Sequence, residues 1–172
     1  MRWVVLLRAV NLGGRNKVPM AELRALLEEA GYGGVRTYIA SGNVLLEAPP
    51  GAAKLAAALE GLVADAFDVA TTVILRKPRE LVETVAAHPF GADSSQTHVA
   101  FLAARPARAA TARFAAIDHG ADRAVLGEAE VYLRVQDASR LSIGRIEALL
   151  DVPATVRNWR TVVALADLAA EA

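Results

Sequence analysis

The sequence predicts an α+β protein made of two ferredoxin-like (split β-α-β) subdomains, with antiparallel or mixed sheets and helices packed on one face. Three observations carry this expectation. Residues 1–76 run in the order β-α-β-β-α-β, which is that of the split βαβ unit. Residues 98–170 repeat the order β-α-β-β-α. The runs Trp3-Val4-Val5-Leu6-Leu7-Arg8-Ala9 and His98-Val99-Ala100-Phe101-Leu102-Ala103-Ala104 are weakly alike, as an internal duplication would make them. The expected organisation is an N-terminal subdomain at 1–76, a helix and joint at 77–96, and a C-terminal subdomain at 97–172.

Residues 3–10 are short, apolar and rich in β-branched side chains, the pattern of a strand buried on both faces. The loop 11–18 follows. Pro19 suits the first position of a helix, with its fixed φ and missing N–H. Met20, Leu23, Leu26, Leu27 and Ala30 then recur at helical spacing, so the helix buries Leu23 and either Leu26 or Leu27; Gly31 suits its stop. Residues 35–40 and 43–47 form a hairpin around Ser41-Gly42-Asn43, where Gly and Asn both tolerate positive φ. Pro49-Pro50-Gly51 breaks the chain. Leu55, Leu59, Leu62 and Val63 mark a second helix to about Ala66, and 69–76 is a strand.

Pro78 starts a short helix that ends at His88-Pro89. The polar stretch Gly91–Gln96 is the expected joint. A strand at 98–104 and a helix from Pro106 come next, with Ala110, Phe114 and Ile117 inward. Residues 122–127 and 130–136 form a hairpin, the second strand alternating strictly. A short helix at 142–150 leads to Val152-Pro153. The final helix, 158–170, buries Trp159, Val162, Val163 and Ala166.

Composition narrows the function classes. Hydrophobic residues make up 54% of 172, enough for a sizeable core. Lys+Arg and Asp+Glu are both 19, so a nucleic-acid site would have to be a local patch, and no membrane partner is expected. No cysteine is present, which removes disulfides, thiolate catalysis and Cys-ligated zinc. The N-terminal apolar run is too short for a signal peptide or a membrane span, so a cytoplasmic protein is expected. His88, His98 and His119 lie far apart without metal-ligand spacing, and no cofactor is expected.

The stretch Arg8–Met20 concentrates the functional signal. It holds Arg8, Asn11, Gly13, Gly14, Arg15 and Lys17, with no acid, just before a helix start. Backbone N–H groups, the helix dipole and cationic side chains there suit an anion. The P-loop and dinucleotide fingerprints do not fit, since Lys17 is followed by Val18 and no Gly-x-Gly-x-x-Gly occurs. The bland alternative is a tight turn before a capped helix. Ser41 and Asn43 serve either a hairpin turn or the lining of the same groove. Arg157, Asn158 and Arg160 lie at the start of the last helix, where Thr155 or Asn158 can cap it and the arginines add charge that a bound anion would offset. Trp159 fits core or half-buried packing better than a stacking platform.

The segments Leu6–Met20, Val35–Val44 and Thr155–Val162 together closely resemble the bacterial family named domain of unknown function 1697, and the resemblance covers essentially the whole chain. It implies a two-part α+β fold and no particular activity. Members often carry Gln where this chain has Ala40. Three readings follow. The first is a binding module for a small anionic or nucleotide-like ligand, in a groove between the halves made by 8–17, 41–43 and 157–161. The second is an enzyme using the same groove. The third is an interaction protein whose motif residues only fix packing. Oligomeric state stays open.

Overall fold

The computed structural model describes residues 1–91, 94–136 and 142–171; Ala92 and Asp93 of the expected joint lie outside the described residues. The chain divides into two compact units, Met1–Glu80 with Leu165–Ala172, and Leu81–Ala164. Each contains one four-stranded antiparallel sheet, so the α+β class holds in both.

In the first unit the elements are β1 (Arg2–Leu7), α1 (Met20–Glu29), β2 (Gly33–Tyr38), β3 (Asn43–Glu47), α2 (Ala52–Phe67) and β4 (Val73–Arg76). The strand order is β2-β3-β1-β4, all pairs antiparallel. This is the ferredoxin-like arrangement. Helix α1 buries Leu23 and Leu27, with Leu26 only half-buried. Pro19 stands one place earlier than expected, at the N-cap, and its carbonyl accepts from Leu23 N at 2.9 Å. Gly31 ends the helix at φ 89, with Gly31 N donating to Glu28 O and Tyr32 N to Leu27 O. That pair of bonds is a Schellman stop. Trp3, Val5 and Leu7 of β1 join Val44, Leu46, Leu23, Leu27, Leu55, Leu59 and Val63 in one core on the helix face. Val4 and Leu6, on the alternate face, are also buried.

Two details of this unit differ from the sequence reading. Strand β4 starts at Val73 rather than 69, because the stretch before it makes irregular bonds: Arg8 N donates to Thr72 O at 3.0 Å and Thr71 Oγ1 to Arg8 O at 2.7 Å. In the hairpin, Ile39 (φ 49) and Gly42 (φ 83) take the left-handed conformation, while Asn43 is the first residue of β3.

The second unit carries α3 (Pro78–Ala86) from Leu81 onward, then β5 (Thr97–Leu102), α4 (Arg108–Ala115), β6 (Arg123–Leu126), β7 (Glu130–Arg134), α5 (Ile143–Leu150) and β8 (Ala154–Asn158). Helix α6 (Trp159–Ala170) follows directly. The strand order β6-β7-β5-β8 repeats that of the first sheet. Ala100, Leu102, Val131, Leu133, Phe114, Ile146 and Leu150 form its core. The sequence reading took 155–161 as the opening of the last helix; 154–158 is instead a fourth strand, paired with β5. Ala-Thr-Val-Arg-Asn is short and polar for a strand, and pairing along β5 decides its conformation.

The two units share details that topology alone does not require. Helices α2 and α5 both end on an aspartate in the left-handed conformation, Asp68 (φ 54) and Asp151 (φ 56). In each unit a glutamate of that helix accepts the first N–H of the fourth strand: Glu60 Oε1 from Val73 N at 2.8 Å, and Glu147 Oε1 from Ala154 N at 2.7 Å. In the second unit the Tyr132 hydroxyl donates to Thr84 O at 2.9 Å, tying β7 to α3; burial first, and the nearby Glu130 second, push its pKa above the ordinary tyrosine value.

The helix face of α1 sets the first prediction. Leu23→Ala and Leu27→Ala should each cost about 2–5 kcal/mol in denaturant melts, and Leu26→Ala clearly less. Equal losses at Leu26 and Leu27 would show that the buried face is misassigned.

Candidate functional site

The sequence-predicted residues fall into two sets. Arg8, Asn11, Gly13, Gly14, Arg15, Lys17, Ser41 and Asn43 belong to the first unit. Arg157, Asn158 and Arg160 belong to the second.

In the first unit the two loops meet through side chains that bond backbone. Gly13 (φ 54) and Gly14 (φ 83) form a tight turn closed by Arg15 N donating to Leu12 O at 2.9 Å. Both need the left-handed region, which glycine enters without steric cost. Asn11 uses its whole carboxamide: Oδ1 accepts from Val18 N at 2.8 Å, and Nδ2 donates to Val18 O at 2.9 Å and to Ala40 O at 2.7 Å. Asn16 Nδ2 donates to Ala9 O at 2.8 Å. Asn43 is fully buried and its Nδ2 donates to Tyr38 O and Ser41 Oγ, each at 2.9 Å. Leu7 N donates to Gly42 O at 2.8 Å, and a Cβ on Gly42 would lie 2.6 Å from Val10 Cγ2 and 2.9 Å from Leu7 Cβ. Arg8 is half-buried. Arg15 and Lys17 are exposed, and their side chains have no hydrogen bond or ion pair among the described residues. The asparagines, Ser41 and Gly42 thus lock one loop to the other.

In the second unit, Arg157 is 6% exposed and its Nη1 donates to Thr155 Oγ1 at 2.7 Å and Val156 O at 3.0 Å. Burial lowers its pKa below the usual arginine value, to about 10. Below that value the guanidinium is charged in both the folded and unfolded chain, so its burial cost does not vary with pH near neutrality; stability gains from its titration only as pH rises beyond about 10. Asn158 caps α6, its Oδ1 accepting from Thr161 N at 2.8 Å, which assigns Nδ2 as the remaining donor. Arg160 is exposed and its side chain has no partner among the described residues.

Asn158 and Arg160 share an open pocket of about 520 Å³ with Trp159, His98 and the Ser94 and Ser95 segment. His98 and Asn158 are register partners across β5 and β8. The buried His98 Nδ1 has no hydrogen-bond partner among the described residues. The ring nitrogen at the matching place in the first unit, Trp3 Nε1, is likewise buried without a partner among the described residues, so this feature is common to both units. Trp159 is half-buried and stacks on His88 with centroids 4.2 Å apart, and His88 Nε2 lies 3.1 Å from Thr97 Oγ1. From the sequence His98 is only one of three histidines without metal-ligand spacing, each no more than a general-base candidate for an enzyme, and Ser94 and Ser95 belong to the expected joint. The register against β8 is the missing signal, hidden because 155–161 reads as the opening of the last helix. A smaller pocket of about 150 Å³ beside α4 and α5 is lined by Asp118, Asp122, Arg123 and Arg145 among apolar residues. There, however, Asp118 accepts from Gly120 N at 2.8 Å and Asp122 from Gln136 N at 3.0 Å, so its carboxylates already hold loops.

The repeated register compares the two units residue by residue. Val4 pairs with Arg76 in the first, as Val99 pairs with Arg157 in the second. Arg76 and Arg157 are each 6% exposed, and each donates to the carbonyl of its own preceding residue. One position earlier, Trp3 of the first unit corresponds to His98 of the second. Trp3 is only 4% exposed.

The locking role predicts stability effects. Gly42→Ala forces a Cβ into Val10 and Leu7 at positive φ and should cost about 2 kcal/mol or more. Asn11→Ala removes three hydrogen bonds and should cost about 1–3 kcal/mol. Lys17→Ala should stay within about 0.5 kcal/mol of the parent. Thermal or urea melts of the three variants check the ranking.

Among the described residues no helix is long and apolar enough to cross a membrane, and no group of three or more His, Asp or Glu is placed to hold a metal ion. No curated protein matches the chain. Its fold is similar to that of the conserved bacterial protein SP0830 from Streptococcus pneumoniae, at 23% identity over 98% of each chain and a TM-score of 0.74. The family model described as protein of unknown function (DUF1697) matches residues 1–132, and the chain belongs to that family.

Proposed function

We propose that the protein is a binding module for a small anionic ligand and that the ligand occupies the second unit's pocket, with its charge at Arg160. One observation carries the reading. Arg160, whose side chain has no partner among the described residues, lines the same open pocket as His98, Asn158 and Trp159. The Asn158 Nδ2 and the Ser94 hydroxyl add donors at the same wall. Arginine suits this role because its planar fork matches the oxygens of a carboxylate or phosphate. The start of α6 adds a favourable dipole to the same place. His98 makes no hydrogen bond to either serine, so the pocket offers donors and rings rather than a formed nucleophile–base pair. In this reading the Asn11 and Gly42 contacts are scaffold, and Arg15 and Lys17 are solvated charges.

A thermal-shift titration tests this. At about ten times Kd a ligand of the native state adds about 1.4 kcal/mol, a rise in Tm of roughly 3–6 °C for a chain of this size. Inorganic phosphate should raise Tm more in the parent and in Lys17→Ala than in Arg160→Gln. Excluded-ion effects act on all three alike, so the difference is the signal. Equal rises in all three would remove the site at Arg160. A smaller rise in Lys17→Ala alone would move the site to the loop at 13–17.

A further inference from the structure

We infer that the pocket at Trp159 takes a planar ring carrying an anionic group, with the ring against the indole and the charge at Arg160. The inference rests on the anion reading above and adds the apolar half of the ligand.

The first support is the comparison between the units. At the position that His98 holds, the first unit places Trp3, an indole 4% exposed in its core. An imidazole has one ring where an indole has two. In the second unit an open pocket of about 520 Å³ lies beside that smaller side chain. This volume is within the range of small-molecule sites, about 300–1,000 Å³. The matching strand position in the other half thus carries a larger aromatic ring, buried in the core.

The second support is a series of rings leading to the pocket. Phe90 meets His88 edge-on at 5.7 Å between centroids, and His88 packs on Trp159 at 4.2 Å. His88 does not line the pocket, whereas Trp159 does. The indole is therefore backed by one ring and offers its remaining surface to the pocket. A ligand ring placed there extends the series, in the offset or edge-on contacts that aromatic pairs favour.

The third support is polar. His98 lines the pocket, and its Nε2, which is not among the buried atoms, meets no partner among the described residues. A heteroaromatic ring can exchange a hydrogen bond with an imidazole; inorganic phosphate at Arg160 would leave both that imidazole and the indole surface uncovered. Burying them with a ring satisfies the pocket's two unlike walls together. A nucleoside monophosphate and an aromatic carboxylate share this chemistry, and their separation belongs to the experiment.

The test is calorimetric titration of the full chain with adenosine monophosphate, indole-3-acetate, ribose 5-phosphate and inorganic phosphate. At least one ring-bearing anion should bind about tenfold or more tightly than ribose 5-phosphate and phosphate. Arg160→Gln, an exposed position that leaves the core untouched, should weaken that binding about tenfold. His98→Trp, which restores the first unit's residue, should abolish it. If that variant does not fold, Arg160→Gln and Trp159→Leu still decide the matter, since Trp159→Leu should erase the preference for rings while phosphate binding persists. Preference for adenosine monophosphate or for indole-3-acetate would assign the ligand to phosphates or to carboxylates. Equal affinity for ring-bearing and ringless anions, lost in Arg160→Gln, would overturn the ring inference and leave the anion reading intact. No binding by any of the four would overturn both. Ring binding undiminished in both Arg160→Gln and Trp159→Leu would place it outside this pocket and overturn the inference.

Discussion

The antiparallel pairing of each unit's first strand with its fourth is the constraint on which the other features depend. Pairing at β1–β4 and β5–β8 fixes which residues share a face, because side chains alternate and a one-residue slip would turn every one of them over. The helix face needs Trp3, Val5 and Leu7 in one unit and Ala100 and Leu102 in the other. Those demands leave Arg76 and Arg157 on the opposite face, at matching places. They also bring Asn158 beside His98, at the end of the strand and the start of α6. The glutamates Glu60 and Glu147 secure the register by accepting the first N–H of each fourth strand.

Against this common frame, the differences between the halves carry the functional argument. The first unit spends its unusual residues on holding loops together: Asn11 spans to Ala40, and Gly42 lets backbone approach Val10 and Leu7. Strain concentrates there too, with Ala9, Asn11, Asn16 and Ile39 all at positive φ. Such strain persists only where surrounding bonds over-determine it, and the asparagine contacts supply those bonds. The second unit has a histidine where the first has a buried tryptophan, and beside it an arginine whose side chain meets no partner among the described residues. The repeated fold thus carries different side chains at one register position, a buried indole in one half and, in the other, an imidazole beside an open pocket.

Much of the fold was legible in the sequence, and for physical reasons. Strong periodicity exposed α1 and α2, and the alternation of Val131 and Leu133 with Tyr132 and Arg134 exposed β7. Strand β8 was not legible, because Thr155, Arg157 and Asn158 have no apolar alternation of their own and take strand form only by pairing with β5. The hairpin's left-handed residue was also hidden, since nothing in isoleucine favours φ 49 and only the surrounding contacts impose it at Ile39. At the site, the sequence pointed to Asn158 and Arg160 but not to His98, which lies about sixty residues earlier and becomes their neighbour only through the sheet register. Asn11 and Asn43 stand out by residue type, yet their carboxamides bond backbone and, at Asn43, the Ser41 hydroxyl as well, a distinction that residue type does not reveal.

The most direct measurement of this account is a map of backbone amide chemical shifts during titration of the full chain with adenosine monophosphate. The account predicts saturable changes at residues 94–98 and 158–163, with 11–17 and 41–43 unmoved. Changes centred on 11–17 and 41–43, with the amides around Trp159 unaffected, would contradict it and return the binding site to the glycine loop.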